Sequence, residues 1–451
     1  MDARPNTRPV NRERKPRPSQ PPRGAKQIVI PMTRQQYEEI WHDAERIRVF
    51  VAGWAQVAPE LFPAGFDPGY RSHGFGRASR KLPGVKLRKI VTADGVSSWL
   101  RPSSMAGTVD DLADPLLLAA HGVPPWLLKI GFGHSEMSWY RVVERLGRSR
   151  LVGTTVRDPA RLPEHLAADE HHADWAGQKG YLATTVGSGC LLGVALTSAA
   201  DDDPLREAYG VFAAEARDVS PEYAPATVNA DGWAATRNAF QTLFPTITVI
   251  LCFLHGFLKV RDRCRKAREL HGRIWDVYRA ATAEEFRRLM GEFERWCATR
   301  TWPAPVREML EKLVNKTESY AMAYDHPGCH RTSNTVDRPM NRLCRLMYAG
   351  RGLHGHQGSS ELRLRGWALL QNFRSYAPRG KSPRVFESPA HRLNGKRYQE
   401  NWLHNLMAST SLIGLQKPQT CNPLESENSV ASWLRPSRFE PKIWILSLRF
   451  R

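Results

Sequence analysis

The sequence has little that would mark it for export or for a membrane. Its 7 cysteines are odd in number and follow no framework spacing, which excludes a disulfide-stapled scaffold and fits reduced thiols in the cytosol. No apolar run reaches the ~18–20 residues that a spanning helix needs. The most apolar windows, GCLLGVALTSAA and ITVILCFLHGFLKV, both stop short. The opening stretch MDARPNTRPVNRERKPRPSQPPRGAK has no apolar signal core, so residues 1–30 read as a disordered basic arm. There is no Gly-rich phosphate loop of the ATPase kind and no serine nucleophile elbow. Acid is scarce too: 45 Asp and Glu against 65 Lys and Arg give a formal charge of +20. Such an excess attracts a polyanion, because neutralising phosphates releases their condensed counterions. The expected partner is nucleic acid, without a membrane.

What is present is a series of apolar patterns. Residues 31–105 are mixed: Trp41, Phe50 and Trp54 mark a helical face, and the basic GYRSHGFGRASRKLPGVKLRKIV follows. That stretch reads either as a solvated loop or as a contact to a DNA backbone. In residues 106–157, apolar positions recur at helical spacing through Leu112, Leu116 and Leu117, then Trp126, Leu127 and Ile130, then Met137, Tyr140, Val143 and Leu146. Three short helices are expected, broken at His121–Pro124 and Gly131–His134, with Ser135 capping the third. A tight Gly-containing turn between short helices suits a helix-turn-helix, whose second helix would turn Ser138, Arg141, Arg145 and Arg148 toward DNA. A helical packing unit that binds no DNA has the same pattern.

From Leu166 to His255 the pattern changes. Three strands, LAADEHHADW, YLATTV and CLLGVALTSA, precede the helix DPLREAYGVFAAEARDV, the short strand ATVNAD, the helix WAATRNAFQTLF, the strand TITVILCFL and a basic amphipathic run. The order βββαβαβα is that of an α/β ribonuclease H-like domain, in which the first and fourth strands lie side by side. Asp169 on the first strand and Asp231 ending the fourth would then meet. Two adjacent carboxylates repel unless a divalent cation neutralises them or one keeps its proton. Oxygen ligands of this kind favour Mg²⁺ or Mn²⁺.

Three blocks carry a resemblance. AADEHHADWAGQKGYLATTVGSGCLLGVAL resembles the first-acid block of bacterial insertion-sequence transposases of the DDE/DDD type, near the Mutator-like group. ADGWAATRNAFQTLFPTITVILCFLH resembles the second block, with Cys252 and His255 matching that group's Cys/His signature, and HRTSNTVDRPMNRLCRLM resembles the third. The resemblance covers residues 103–378. It implies a catalytic and metal-binding triad of Asp169, Asp231 and Asp337, two Mg²⁺ or Mn²⁺ ions, and an all-helical insertion at 266–325 between catalytic segments 158–265 and 326–395. Asp337 stands where the group usually has Glu. The implied activity is cleavage and transfer of DNA strands at insertion-sequence ends, by a homo-oligomer in the bacterial cytoplasm associated with the nucleoid. Water and then a 3′-hydroxyl would serve as nucleophiles. A transposase-derived DNA-binding protein without cleavage is the competing expectation, and a nuclease of the same fold is another.

Local chemistry bears on the remaining candidates. Asp337 falls in the first turn of a helix, where the macrodipole favours an acid; Glu361, after a Ser-Ser cap, is its rival. His255 is a candidate to hold a DNA phosphate or to order an acid. Cys252, His255, Cys329 and His330 offer a possible zinc set, although Cys252 reads as a buried strand thiol. Arg338, Arg342 and Arg363, with Arg351 and Arg365, are placed to hold phosphates near the acids. Trp296 or Trp302 is a candidate to stack on an unpaired base. Residues 396–451 read as a tail.

Overall fold

The computed structural model describes residues 27–411 apart from 31, 33, 63–65, 67–68, 79–83, 93–94, 96, 103–108, 176, 351 and 378–384. The basic arm before Gln27, Arg351 and the tail beyond Ser411 lie outside the described residues. No described helix is long and apolar enough to cross a membrane.

Aromatic and β-branched residues build a small amino-terminal layer. Strand β1 (Gln27–Ile30), helices α1 (Arg34–Ile40) and α2 (Ala44–Val57), and strands β2 (Arg71–Ala78), β3 (Lys86–Val91) and β4 (Ser97–Pro102) form a four-stranded sheet in the order β1-β4-β3-β2. This corrects two expectations. The end of the presumed arm is a strand, because Ile28 and Ile30 are apolar enough to pair with β4 and bury against Tyr37 and Ile47. The basic Gly-rich stretch is a β-hairpin rather than a loop. Its Arg88 is buried, donating to the Trp41 carbonyl and the Ser72 hydroxyl.

Helices α3 (Val109–Ala120), α4 (Pro125–Phe132), α5 (Glu136–Gly147) and α6 (Leu151–Thr155) follow. The Ser135 hydroxyl accepts from the Ser138 amide at the start of α5, while Gly133 (φ 71°) and His134 (φ 58°) take left-handed backbone in the preceding turn.

The central sheet comes next. Strands β5 (His165–Trp175), β6 (Gln178–Gly187) and β7 (Cys190–Thr197) are antiparallel; helix α7 (Asp202–Val219), strand β8 (Thr227–Ala230), helix α8 (Ala234–Leu243), strand β9 (Thr248–Leu251) and helix α9 (Phe253–Arg263) complete the unit. The sheet order is β7-β6-β5-β8-β9, so the first strand pairs in parallel with the fourth, Leu166 beside Val228 and Ala167 beside Asn229. Strands with apolar residues on both sides demand cover on both faces. One face, through Leu166, Ala168, Ala183 and Val228, packs on α7 and α8; the other, through Ala167, Leu182 and Val186, packs on the two long helices near the carboxyl end.

Between these segments stand α10 (Arg268–Tyr278), α11 (Ala283–Ala298), α12 (Ala304–Val314) and α13 (Thr317–Ala321), helical throughout, with α9 and their own core of Phe286, Met290, Phe293 and Leu310. Then come α14 (Asn334–Gly350), α15 (Gln357–Phe373), α16 (Pro389–Asn394) and α17 (Trp402–Ser411). The backbones of α5 and α15 touch: a Cβ on Gly147 would strike Leu362, and one on Gly366 would strike Val143. Helix α17 corrects the tail boundary, since its Leu403 and Leu406 join the core under α15 and its Ala408 joins the amino-terminal core. The period-3.6 apolar residues in WLHNLMASTS account for that helix.

Candidate active site

Strand β5 sends consecutive side chains to opposite faces, so its two adjacent acids part company. Asp169 faces the α14 side. Its partner across the strands is Thr184, whose hydroxyl donates to the Met340 sulfur of α14 at 3.3 Å. Glu170 faces α7 and α8, where its Oε1 accepts from the Tyr209 hydroxyl and, at 2.6 Å, from the Thr236 hydroxyl.

Asp231 stands one residue past β8, at the carboxyl end of a parallel strand. The chain turns there through Gly232 (φ 92°), and the Trp233 amide donates to Asp231 Oδ1 at 2.8 Å. Asn229, two residues earlier, shares the Asp231 face and lies beside Ala167 and Ile250. Asp337 comes from the first turn of α14. The Ser333 hydroxyl donates to Asp337 Oδ2 at 2.9 Å, and the Ser333 amide donates to the Cys252 sulfur at 3.1 Å. The Phe253 amide also donates to the Arg331 carbonyl at 3.2 Å. These bonds fasten the start of α14 to the junction of β9 and α9. Cys252 is therefore the residue before a helix rather than a strand residue, because β9 ends at Leu251, and His255 sits in the first turn of α9.

The electrostatics tie the three acids together. Burial first, then the charges of Glu170, Asp231 and Asp337, push the Asp169 carboxyl up to about 7 against the opposing pull of His255. A hydrogen bond to Cys252 outweighs burial and holds His255 up at about 9, with Asp169 and Asp231 adding to the effect. Burial works against the Cys252 thiolate, but the bonds from His255 and Ser333 win and hold the thiol below its usual range. Glu170 is raised by burial in spite of its hydroxyl donors.

The donor set suits a hard divalent cation in kind: carboxylate oxygens whose mutual repulsion a cation would relieve. Both side-chain atoms of buried Asn229 and the buried Nδ1 of His255 have no hydrogen-bond partner among the described residues. The carboxylates stand too far apart to form a ready cage, since no three His, Cys, Asp or Glu side chains among the described residues gather at ligand spacing. The four-ligand zinc set is not assembled either. Cys252 and His255 pair with each other, the Cys329 thiol donates to the Ala323 carbonyl at 3.3 Å, and His330 lies near His165.

Other sequence candidates fall into two groups. Arg141 and Arg145 on α5, and Arg148 just past its end, are exposed at a spacing that shares one helix face, with Ser138 half-buried at the start of the helix. Arg338 is exposed and Arg342 half-buried on the helix that carries Asp337. By contrast, Arg363 lies over the Tyr140 ring at 4.3 Å, and burial lowers its pKa. Arg365 is no phosphate ligand: it is buried against Glu215 and donates to the Gly147 and Ser149 carbonyls, joining α15 to α7. Glu361 bonds Gln357 and is not among the groups acting on Asp169. Trp296 packs in the helical insertion under the guanidinium groups of Arg273 and Arg300, and the Trp302 indole donates to the Cys297 carbonyl. Both rings are half-buried against the core of the insertion.

Sequence reasoning offered Ser333 or Asn334 as a cap for the Asp337 helix but missed the bond from Ser333 to Cys252 and the role of Glu170. Ser333 was legible as a cap, but its reach to Cys252 crosses from one block to another and leaves no local signal. Glu170 was legible only by alternation from Asp169. Compared with models of known protein families and with curated proteins, the chain matches none.

Proposed function

We propose that the chain is a metal-dependent DNA strand transferase of the insertion-sequence transposase type, with a ribonuclease H-like catalytic domain. One observation carries this reading: acids from β5, the end of β8 and the start of α14 act on a single half-buried carboxyl, that of Asp169. A fold gains nothing in stability from gathering like charges, so such a cluster points to chemistry. The order β7-β6-β5-β8-β9, with the first and fourth strands adjacent, supports it, as does the charge of +20.

In this reading Asp169, Asp231 and Asp337 hold Mg²⁺ or Mn²⁺. Bound there, such ions activate an attacking oxygen and stabilise a leaving one in phosphoryl transfer. The chain's own groups do the rest. The Trp233 amide occupies one oxygen of Asp231 and leaves the other to a cation. Ser333 fixes Asp337, which compensates in part for a side chain one methylene shorter than Glu. His255, positively charged at neutral pH, offsets the acids and is placed to hold a DNA phosphate. Exposed Arg141 and Arg145 on α5, with Arg148 just past its end, supply a duplex contact, and two DNA ends processed together call for a homo-oligomer.

A second reading has one observation in its favour. The three carboxylates do not stand at ligand spacing, as expected of a descendant that keeps DNA binding and has lost cleavage. Mn²⁺-dependent cleavage and strand transfer on a duplex carrying the element's terminal sequences, run with wild type and Asp231→Asn, separates the two. Joining that the single change abolishes supports the transferase; binding without cleavage by wild type supports the descendant.

A further inference from the structure

Along α14, the helix that carries Asp337, lies a cleft of 770 Å³ bounded by the β6–β7 turn, the end of α15 and α16. Arg338, Arg342 and Arg392 line it, together with Asn334, Tyr376 and Phe386, and among the described residues no lining residue is acidic. The cations stand uncompensated. Among the described residues, Arg338, Arg342 and the adjacent Arg374 make no ion pair with a carboxylate; Arg342 donates to Gln371 at 3.3 Å, and Arg374 to Gln371 at 2.9 Å. Glu387, the acid nearest in sequence to Phe386, is paired with Arg397. Burial lowers the Arg342 pKa and the like charges of Arg338 and Arg345 lower it further; burial and then Arg342 bring Arg374 down to about 10. Guanidinium groups held together against their own repulsion are a standing demand for an anion.

We propose that this cleft binds a single, unpaired DNA strand next to the acids, with its phosphates on Arg338, Arg342 and Arg392 and a base against Tyr376 or Phe386. The proposal rests on the transferase reading for the identity of the polyanion. Its size favours a strand over a duplex, because a pocket of this volume takes a ligand of about two nucleotides rather than a double helix. Its lining agrees: arginines beside half-buried aromatic rings are what single-stranded binding uses, phosphates to the cations and base faces to the rings. Arg338 directly follows Asp337, so a strand leaving the acids has the cleft on its path.

The test uses the full chain and fluorescence anisotropy with a labelled single-stranded 15-mer and its duplex, each over a range of salt. Arg338 and Arg392 are exposed, so the double variant Arg338→Ala/Arg392→Ala keeps the fold, which a thermal midpoint within a degree or so of wild type checks. The expected result is single-strand affinity at least about 10-fold weaker, with the salt slope reduced by about 1.4 for two lost phosphate contacts. Duplex affinity should stay within about 2-fold, and Arg141→Ala/Arg145→Ala should show the reverse pattern. Unchanged single-strand binding, or equal losses for strand and duplex, overturns the cleft proposal while leaving the transferase reading standing. Wild type that binds neither DNA overturns both.

Discussion

The two faces of β5 treat the same chemistry in opposite ways. Glu170 is half-buried against α7 and α8 with two hydroxyl donors on one oxygen, while Asp169, one residue away and also half-buried, feels the charges of other acids and a histidine. A buried carboxylate that receives donors is a packing device; one that receives like charge is held for a ligand. Adjacent positions on one strand therefore separate structure from chemistry, and the comparison can be broken experimentally.

The largest effect concerns activity. Asp169→Asn should lower metal-dependent DNA cleavage by at least about 10³-fold, whereas Glu170→Gln, which keeps an acceptor for both hydroxyls, should change it less than about 3-fold. Equal losses in a gel cleavage assay would erase the distinction between the faces. Stability should follow the other face. Glu170→Ala strands the Tyr209 and Thr236 hydroxyls and should cost about 2–4 kcal/mol in urea unfolding.

The pH dependence sharpens the contrast. The folded Asp169 carboxyl, at about 7, lies above its usual 3.8, so the folded state holds this proton longer than the unfolded chain does. The associated stability is present below about pH 4 and is lost as pH rises through about 7. Asp169→Asn should therefore gain about 1–3 kcal/mol on wild type between pH 4 and pH 8 in metal-free buffer, measured by thermal unfolding at a series of pH values. Adding Mn²⁺ at pH 8 should raise the wild-type midpoint and leave that of Asp231→Asn nearly unmoved. Smallest is Ser333→Ala, which frees Asp337 and should cost about 1 kcal/mol of stability with a drop in cleavage of about 10-fold. An unchanged cleavage rate would show that Ser333 only caps α14.

Much of the central sheet was legible because its evidence is local. Period-2 apolar runs, Gly-Ser-Gly after Val186 and a carboxylate after ATVNA each act over a few residues, and the strands and helices fall where those signals lie. Cys252 was misplaced by one element because an apolar run continues unbroken from β9 into α9, and periodicity cannot show where a strand hands over to a helix. Arg365 was read as a DNA contact because its partner, Glu215, is far away in sequence. Helix α17 was read as tail because its apolar face has no meaning until α15 and the amino-terminal sheet offer something to bury it.

By itself the sequence determined the charge, the alternation that sets Asp169 and Glu170 on opposite faces, the helical start that carries Asp337 and the arginines that share its helix. Only the tertiary structure decided which of those groups meet. Pairing β5 with β8 sets Asp231 close enough to act on Asp169, and the Ser333 amide reaching Cys252 fastens the start of α14, so that Asp337 acts on Asp169 too. Such meetings depend on contacts between residues far apart in the chain, whose energies exist only once the sheet has formed and both its faces are covered.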